Sequence, residues 1–208
     1  MAAPCDTPSR ILDAAERLFA DRGIAATSLR EITREAGVNL AAVNYHFGSK
    51  DGLIRELVRR RFSAVNEARL EALARLEAEY SPAPIPIEKL VRAFLEPAMR
   101  HFGEEDSAFP RFVGRLHLDP YPGMLQELRG AFLPVLERFL GPLQRVLPEV
   151  PRPVLFLRTF LMMGSLIHLL SNLRKHAEIF PACADALRDP DRILDELVGF
   201  AAAGLRHD

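Results

Sequence analysis

The sequence predicts an all-α protein, and three observations carry that prediction. Apolar residues recur at helical spacing through nearly all of the 208 residues. No apolar-polar alternation of period two is sustained anywhere. Glycines, prolines and capping side chains fall where the periodic runs stop. The expected result is nine helices, three short ones followed by six that form a larger bundle.

The first helix is expected over Ser9 to Arg22, where Ile11, Leu12, Ala15, Leu18 and Phe19 share one stripe and Gly23 follows as a C-terminal cap. Ser28-Leu29-Arg30-Glu31 opens the second with the spacing of a capping box, in which Ser28 and Glu31 satisfy each other's amides. Gly37 stops it, because a glycine takes the backbone angles of a tight turn that a Cβ resists. Asn39 caps a third helix from Leu40 to Phe47, closed by Gly48. Ser49 then caps a long helix reaching about Glu79. The prolines of Ser81-Pro82-Ala83-Pro84-Ile85-Pro86 cannot continue it, so this stretch is a connector.

Further helices are expected over about Ile87 to Phe102, Ser107 to Leu118, Gly123 to Leu147, Val154 to His176 and Pro190 to Arg206. Pro97, Pro110, Pro134 and Pro142 fall inside them and predict kinks or breaks.

Composition sets bounds on function. Cys5 and Cys183 are the only cysteines, which supports neither a disulfide framework nor a thiolate metal site, and fits a reducing, cytoplasmic compartment. Met1 to Ser9 has no basic and apolar signal pattern. Val154 to Leu173 has the length of a membrane span, but Arg158, Ser165, His168, Ser171 and Asn172 interrupt it. A buried helix of an all-helical protein is the reading taken, with no membrane partner. Enzymatic chemistry finds no support: there is no HExxH spacing, no glycine-rich phosphate loop and no nucleophile motif, and Glu104-Glu105-Asp106 reads as a solvated loop. No catalytic residue, metal site or cofactor is expected.

Net charge is −1, yet Met1 to Phe62 holds ten Lys and Arg against eight Asp and Glu. So small an excess proves little. The arrangement of the first helices says more. Two short helices joined by a glycine turn, with a helix before them, form the trihelical unit that places a helix in the DNA major groove. An ordinary helical hairpin has the same spacing. Val38, Val43 and Phe47 can anchor the third helix against Ile32 and Leu18, which turns Leu40, Ala41 and Asn44 outward. The Asn44 amide suits a bidentate bond to adenine, and the methyls of Leu40, Ala41 and Ala42 suit thymine methyls. Tyr45, His46 and Lys50 supply phosphate donors, beside the helix N-terminus at Ser49.

The stretches Ile11-Leu12-Asp13-Ala14-Ala15, Leu18-Phe19-Ala20, Gly23, Thr27-Ser28-Leu29-Arg30-Glu31-Ile32, Ala36-Gly37-Val38 and Val43-Asn44-Tyr45-His46-Phe47-Gly48-Ser49-Lys50 together resemble the DNA-binding domain of the TetR family, over about Ser9 to Ile54. The resemblance implies a helix-turn-helix DNA-binding domain over residues 8–54 and a helical ligand-binding and dimerisation domain over 55–208. It implies that Leu40, Ala41, Ala42 and Asn44 face bases and that Ser28, Tyr45, His46 and Lys50 position the backbone, with Arg30 and Asn39 completing the DNA-facing set. Thr33 stands where the family often has Ala, and Asn44 where Tyr is frequent, so base preference does not transfer.

The resemblance further implies a homodimer on an approximately palindromic operator, released by a small-molecule inducer. Val154 to His176 and Ile193 to Leu205, rich in Leu, Met, Phe, Ala and Gly, are the expected dimer face. Phe109, Phe112, Phe156, Phe160, Met162, Met163 and Leu166 offer an apolar lining for the inducer, with Arg115, His117, Arg158 and His168 as polar handles. Phe109 to Arg115 and Phe160 to Gly164 are more distantly similar to the matching helices of fatty-acid-responsive TetR regulators, which implies a lipophilic inducer such as a fatty acid or acyl thioester.

Overall fold

The computed structural model describes residues 6–102, 108–118 and 124–207. Among them the chain forms nine α-helices and two short 3-10 turns, with no strand. In order these are α1 (Thr7–Arg22), α2 (Leu29–Ala36), α3 (Leu40–Phe47), α4 (Lys50–Tyr80), α5 (Ile87–Phe102), α6 (Phe109–Leu118), α7 (Met124–Val146), α8 (Arg152–Ile179) and α9 (Pro190–Arg206). Cys5, Glu104-Glu105-Asp106, and the expected helix starts at Ser107 and Gly123 lie outside the described residues. The chain divides into two compact units. One takes the described residues of Met1–Ser63 and Ala108–Ala131, the other those of Ala64–Ser107 and Phe132–Asp208. Both α4 and α7 run unbroken through a division.

Local chemistry sets the helix ends of the first unit. Asp6 starts α1 two residues before the expected position, accepting the Ser9 amide at 2.9 Å, with Pro8 in the first turn where its missing N–H is harmless. Gly23 ends α1, its amide bonding Phe19 O at 2.9 Å. The capping box of α2 is complete: the Ser28 amide and hydroxyl both donate to Glu31 Oε2 at 2.8 Å, and the Glu31 amide returns to Ser28 Oγ. These bonds, the backbone one first, hold the Glu31 carboxyl below the usual carboxylate range. Gly37 takes φ 64°, ψ 38° at the turn, a left-handed conformation that favours glycine. Asn39 Oδ1 accepts the Ala42 amide at 2.9 Å to open α3. Ser49 Oγ accepts the Gly52 amide at 3.0 Å to open α4. A side chain at Gly52 is excluded sterically, since its Cβ would sit 2.0 Å from Phe47 O.

Helix α6, which sequence order would place with the bundle, packs on α1 in the first unit. Phe112 is fully buried against Phe19, with ring centroids 6.1 Å apart, and Phe109 meets Phe62 edge-on at 5.2 Å. Beneath them Arg61 holds the buried Glu16 carboxylate with two bonds, of 2.6 and 3.0 Å. Breaking such a pair would strand a carboxylate in an apolar core, so its geometry fixes how α4 meets α1.

In the second unit α5 and α8 both pack on α9. Leu90, Phe94, Phe139, Leu143, Leu197 and Leu205 are among its buried core. Arg206–Glu88 at 2.6 Å and Arg138–Glu77 at 3.1 Å are ion pairs at its surface. Three of the expected proline breaks do not occur: α5 continues through Pro97 and α7 through Pro134 and Pro142. Packing of their apolar faces outweighs a cost of about 3 kcal/mol per proline in an isolated helix. Pro110 is the second residue of α6, a first-turn position where proline is tolerated.

One expectation is corrected outright. The stretch Arg152–Leu173 of α8 is long and apolar enough to cross a membrane, and only 28% of its most apolar window is buried inside the chain. It is not the enclosed core helix that its composition suggested. Phe156, Leu157, Phe160 and Leu161 stand exposed along one side, with Phe200 of α9 exposed as well.

Candidate nucleic-acid interface

Eight residues at 1.5 Å each make α3 about 12 Å long, a match for the width of the B-DNA major groove. Its inner side is fixed by Val43, fully buried where α3 packs on α1 and α2, and Ile32 of α2 is fully buried too, while Val38, Phe47 and Leu18 are half-buried. Because that side is locked, the opposite side is presented as a rigid surface: Leu40, Ala41 and Asn44 are exposed and Ala42 is half-buried. Tyr45 is 86% exposed, an unusual placement for a ring on an ordered helix. His46 meets it edge-on, centroids 4.9 Å apart, which holds both rings together at the end of α3.

The flanking residues separate into free groups and groups already engaged. Arg30, exposed on α2, makes no ion pair among the described residues. Arg17 and Arg22 are taken by Glu35 and Glu31, at 3.5 and 3.0 Å. Ser28 and Asn39 spend their side chains as caps, so they present backbone rather than free hydroxyl or amide. Lys50 differs most from expectation. Its ammonium turns inward, donating to Ile24 O and lying 5.9 Å from the Phe19 ring, and this burial lowers its pKa. Thr33 adds no free hydroxyl, since its Oγ donates to Arg30 O at 3.0 Å.

The residues expected to line an inducer site are divided between the two units. Phe112 and Arg115 belong to the first unit, where Phe112 is core and the exposed Arg115 reaches Asp21 O at 3.5 Å. In the second unit Phe156 is exposed, and Arg158 donates to Leu205 O at 2.8 Å, tying α8 to α9. Met163 is buried, and His168 is exposed with its Nε2 3.1 Å from His176 Nε2. The side chain of His117 lies outside the described residues. Met162 borders a void of about 10 Å³, whose walls include Val91, Phe94, Phe139, Thr159 and Leu205.

Two family models match the chain. Residues 11–57 match "Bacterial regulatory proteins, tetR family", and residues 92–204 match "Tetracyclin repressor-like, C-terminal domain". The chain belongs to the TetR family. An HTH-type transcriptional repressor of Mycobacterium tuberculosis is 36% identical to this TetR-family chain over 123 residues, 59% of the chain and 53% of the relative. The regulator AcrR of Shigella flexneri is 38% identical over 74 residues, 36% and 34% of the two. The first curated relatives are thus matched over about a quarter to about half of their own length. A TetR-like transcriptional regulator from Rhodococcus sp. RHA1 superposes over 100% of both chains, with TM-score 0.68 and 20% identity. The fatty acid degradation regulator FadR from Bacillus halodurans does so with TM-score 0.62 and 18% identity, again over 100% of both. At these identities the likeness is one of fold.

The sequence missed one buried charged group of the second unit, Arg69 of α4, which lies beside Phe94. Nothing in the local pattern could have flagged it, because an arginine amid Glu67, Glu71 and Arg75 reads as part of a solvated helix face.

Proposed function

We propose that this TetR-family protein is a sequence-specific DNA-binding transcriptional repressor, acting as a homodimer in the bacterial cytoplasm and released from its operator by a small lipophilic inducer. The observation that carries the reading is the presented face of α3: Leu40, Ala41 and Asn44 exposed on a helix whose other side Val43 locks, with Tyr45 and His46 at its end. Such a surface has no role inside the chain, and its residue types suit base edges and phosphates. Ser28, Arg30, Asn39 and the start of α4 at Lys50 would contact the backbone, Ser28 and Asn39 through main-chain groups.

The exposed apolar side of α8 with Phe200 supports the dimer. Apolar surface of this extent in water is unfavourable by about 25 cal/mol per Å², and a second copy covers it with an identical surface across a two-fold axis. Two copies of α3 would then be held about 34 Å apart, one turn of DNA, so that each enters one half of an approximate palindrome. An inducer that binds another spacing better shifts the population away from DNA. The relation to FadR, a fatty acid degradation regulator by name, and the apolar walls around Met162 favour a lipophilic inducer.

Asn44→Ala tests the reading. On its selected operator the variant is expected to bind about tenfold to a hundredfold more weakly, while its affinity for random DNA stays within about twofold, because the lost contact reads a base. Fluorescence anisotropy at two salt concentrations measures both. An equal loss on both DNAs would remove Asn44 from base reading.

A further inference from the structure

We infer that Arg69 is the anion-binding group of the inducer site, and that the inducer is a lipophilic carboxylate; the inference rests on the ligand-responsive reading above and names its ligand. Arg69 is only 3% exposed on α4. Its Nε donates to Phe94 O at 2.8 Å, its Nη1 to Asn66 Oδ1 at 3.2 Å, and its guanidinium carbon lies 4.1 Å from the centre of the Phe94 ring. No carboxylate pairs with it among the described residues. In the same unit Arg92, Arg138 and Arg206 each hold an acidic side chain, and all three lie at the surface. Among the described residues these three surface arginines are paired with acids, whereas the buried Arg69 has no carboxylate partner. Burial pulls the Arg69 pKa down to about 9, so the group is still a cation at neutral pH.

A buried cation without an anion is costly unless something supplies one. The surroundings specify what. Phe94 carries Arg69 against its ring and also forms a wall of the void bordered by Val91, Phe139, Thr159, Met162 and Leu205. The Thr159 hydroxyl is spent on Leu155 O at 2.7 Å, so these walls offer a ligand apolar contact only. One charge beside an apolar wall suits a molecule with a single anionic head and a hydrocarbon tail. The flat guanidinium fork matches the two oxygens of a carboxylate. A coenzyme A thioester carries several phosphate charges, which one guanidinium does not balance.

At about 10 Å³ the void has room for roughly one water molecule. A tail enters only if Met162 and its neighbours move aside, so binding and rearrangement of the bundle are one event. Methionine, with three rotatable bonds, is suited to that.

The test titrates the full-length protein with sodium decanoate, 1-decanol and decanoyl coenzyme A, reading binding by calorimetry and release of operator by fluorescence anisotropy. Decanoate is expected to bind at least tenfold more tightly than decanol or the thioester and to release the operator. Arg69→Gln is expected to erase the preference for decanoate over decanol, and Arg69→Lys to restore part of it. Decanol matching decanoate on the wild-type protein overturns the inference, as does a failure of decanoate to bind. A preference kept in Arg69→Gln overturns the role of Arg69. The wild-type comparison stands even where the glutamine variant does not fold. Operator binding that answers to decanol alone leaves the regulatory reading intact and removes the carboxylate, whereas a protein with no operator removes the regulatory reading itself.

Discussion

Leu161→Glu is expected to turn the dimer into a monomer. Leu161 is 61% exposed on α8 in the single chain, beside Leu157 and Phe160, so a glutamate there costs the folded chain little. In the dimer the same change places two carboxylates, one from each copy, within an apolar interface where neither finds water or a partner. Light scattering is expected to report one chain's mass at micromolar concentration, with the melting transition of the helices retained. Operator affinity is expected to fall by about a hundredfold or more, because each half-site is then bound independently. A variant that remains a dimer with unchanged affinity would show that this side of α8 is covered in some other way.

Phe112→Ala is expected to lower stability by about 3–5 kcal/mol, the usual cost of removing a buried phenylalanine ring. Phe112 is 0% exposed, with its ring centroid 6.1 Å from that of Phe19 and 6.0 Å from that of Phe109. A loss of this size is a large part of the 5–15 kcal/mol that holds a typical domain folded, so operator binding should fail at temperatures where the wild type binds. Chemical denaturation gives the magnitude. A variant of near-normal stability with an altered inducer response would return Phe112 to the ligand lining that the sequence suggested.

These two substitutions mark where the sequence was readable and where it was not. The helix ends around α2 and α3 are legible because each is decided within a few residues: Ser28 with Glu31, Gly37 at φ 64°, Asn39 with Ala42. The outward face of α3 follows from the same short stretch, once Val43 is seen to point inward. The fate of α8 is not local. Whether an apolar helix side meets its own chain or stays exposed depends on α5 and α9, remote in sequence, and the composition of residues 154–173 is the same in either case. The packing of helix α6 is not local either, since Phe109 and Phe112 have the spacing of any core helix and only the tertiary fold shows that α1 is what they pack on. Arg69 and Lys50 fail from the other side. A charged side chain in an amphipathic helix is ordinarily solvated, and nothing near position 69 or 50 announces a backbone carbonyl, Phe94 O or Ile24 O, waiting for its donor.

Selection of duplexes from a random-sequence library by the full-length protein, followed by sequencing, tests the central claim most directly. The account predicts enrichment of an approximate palindrome with half-site centres about 10 base pairs, or one DNA turn, apart, or a multiple of that spacing. It also predicts that the enriched sites are released by the inducer and lost in Leu161→Glu. Recovery of random sequence at a salt concentration where non-specific binding is suppressed would contradict it, and would mean that the exposed face of α3 serves something other than DNA.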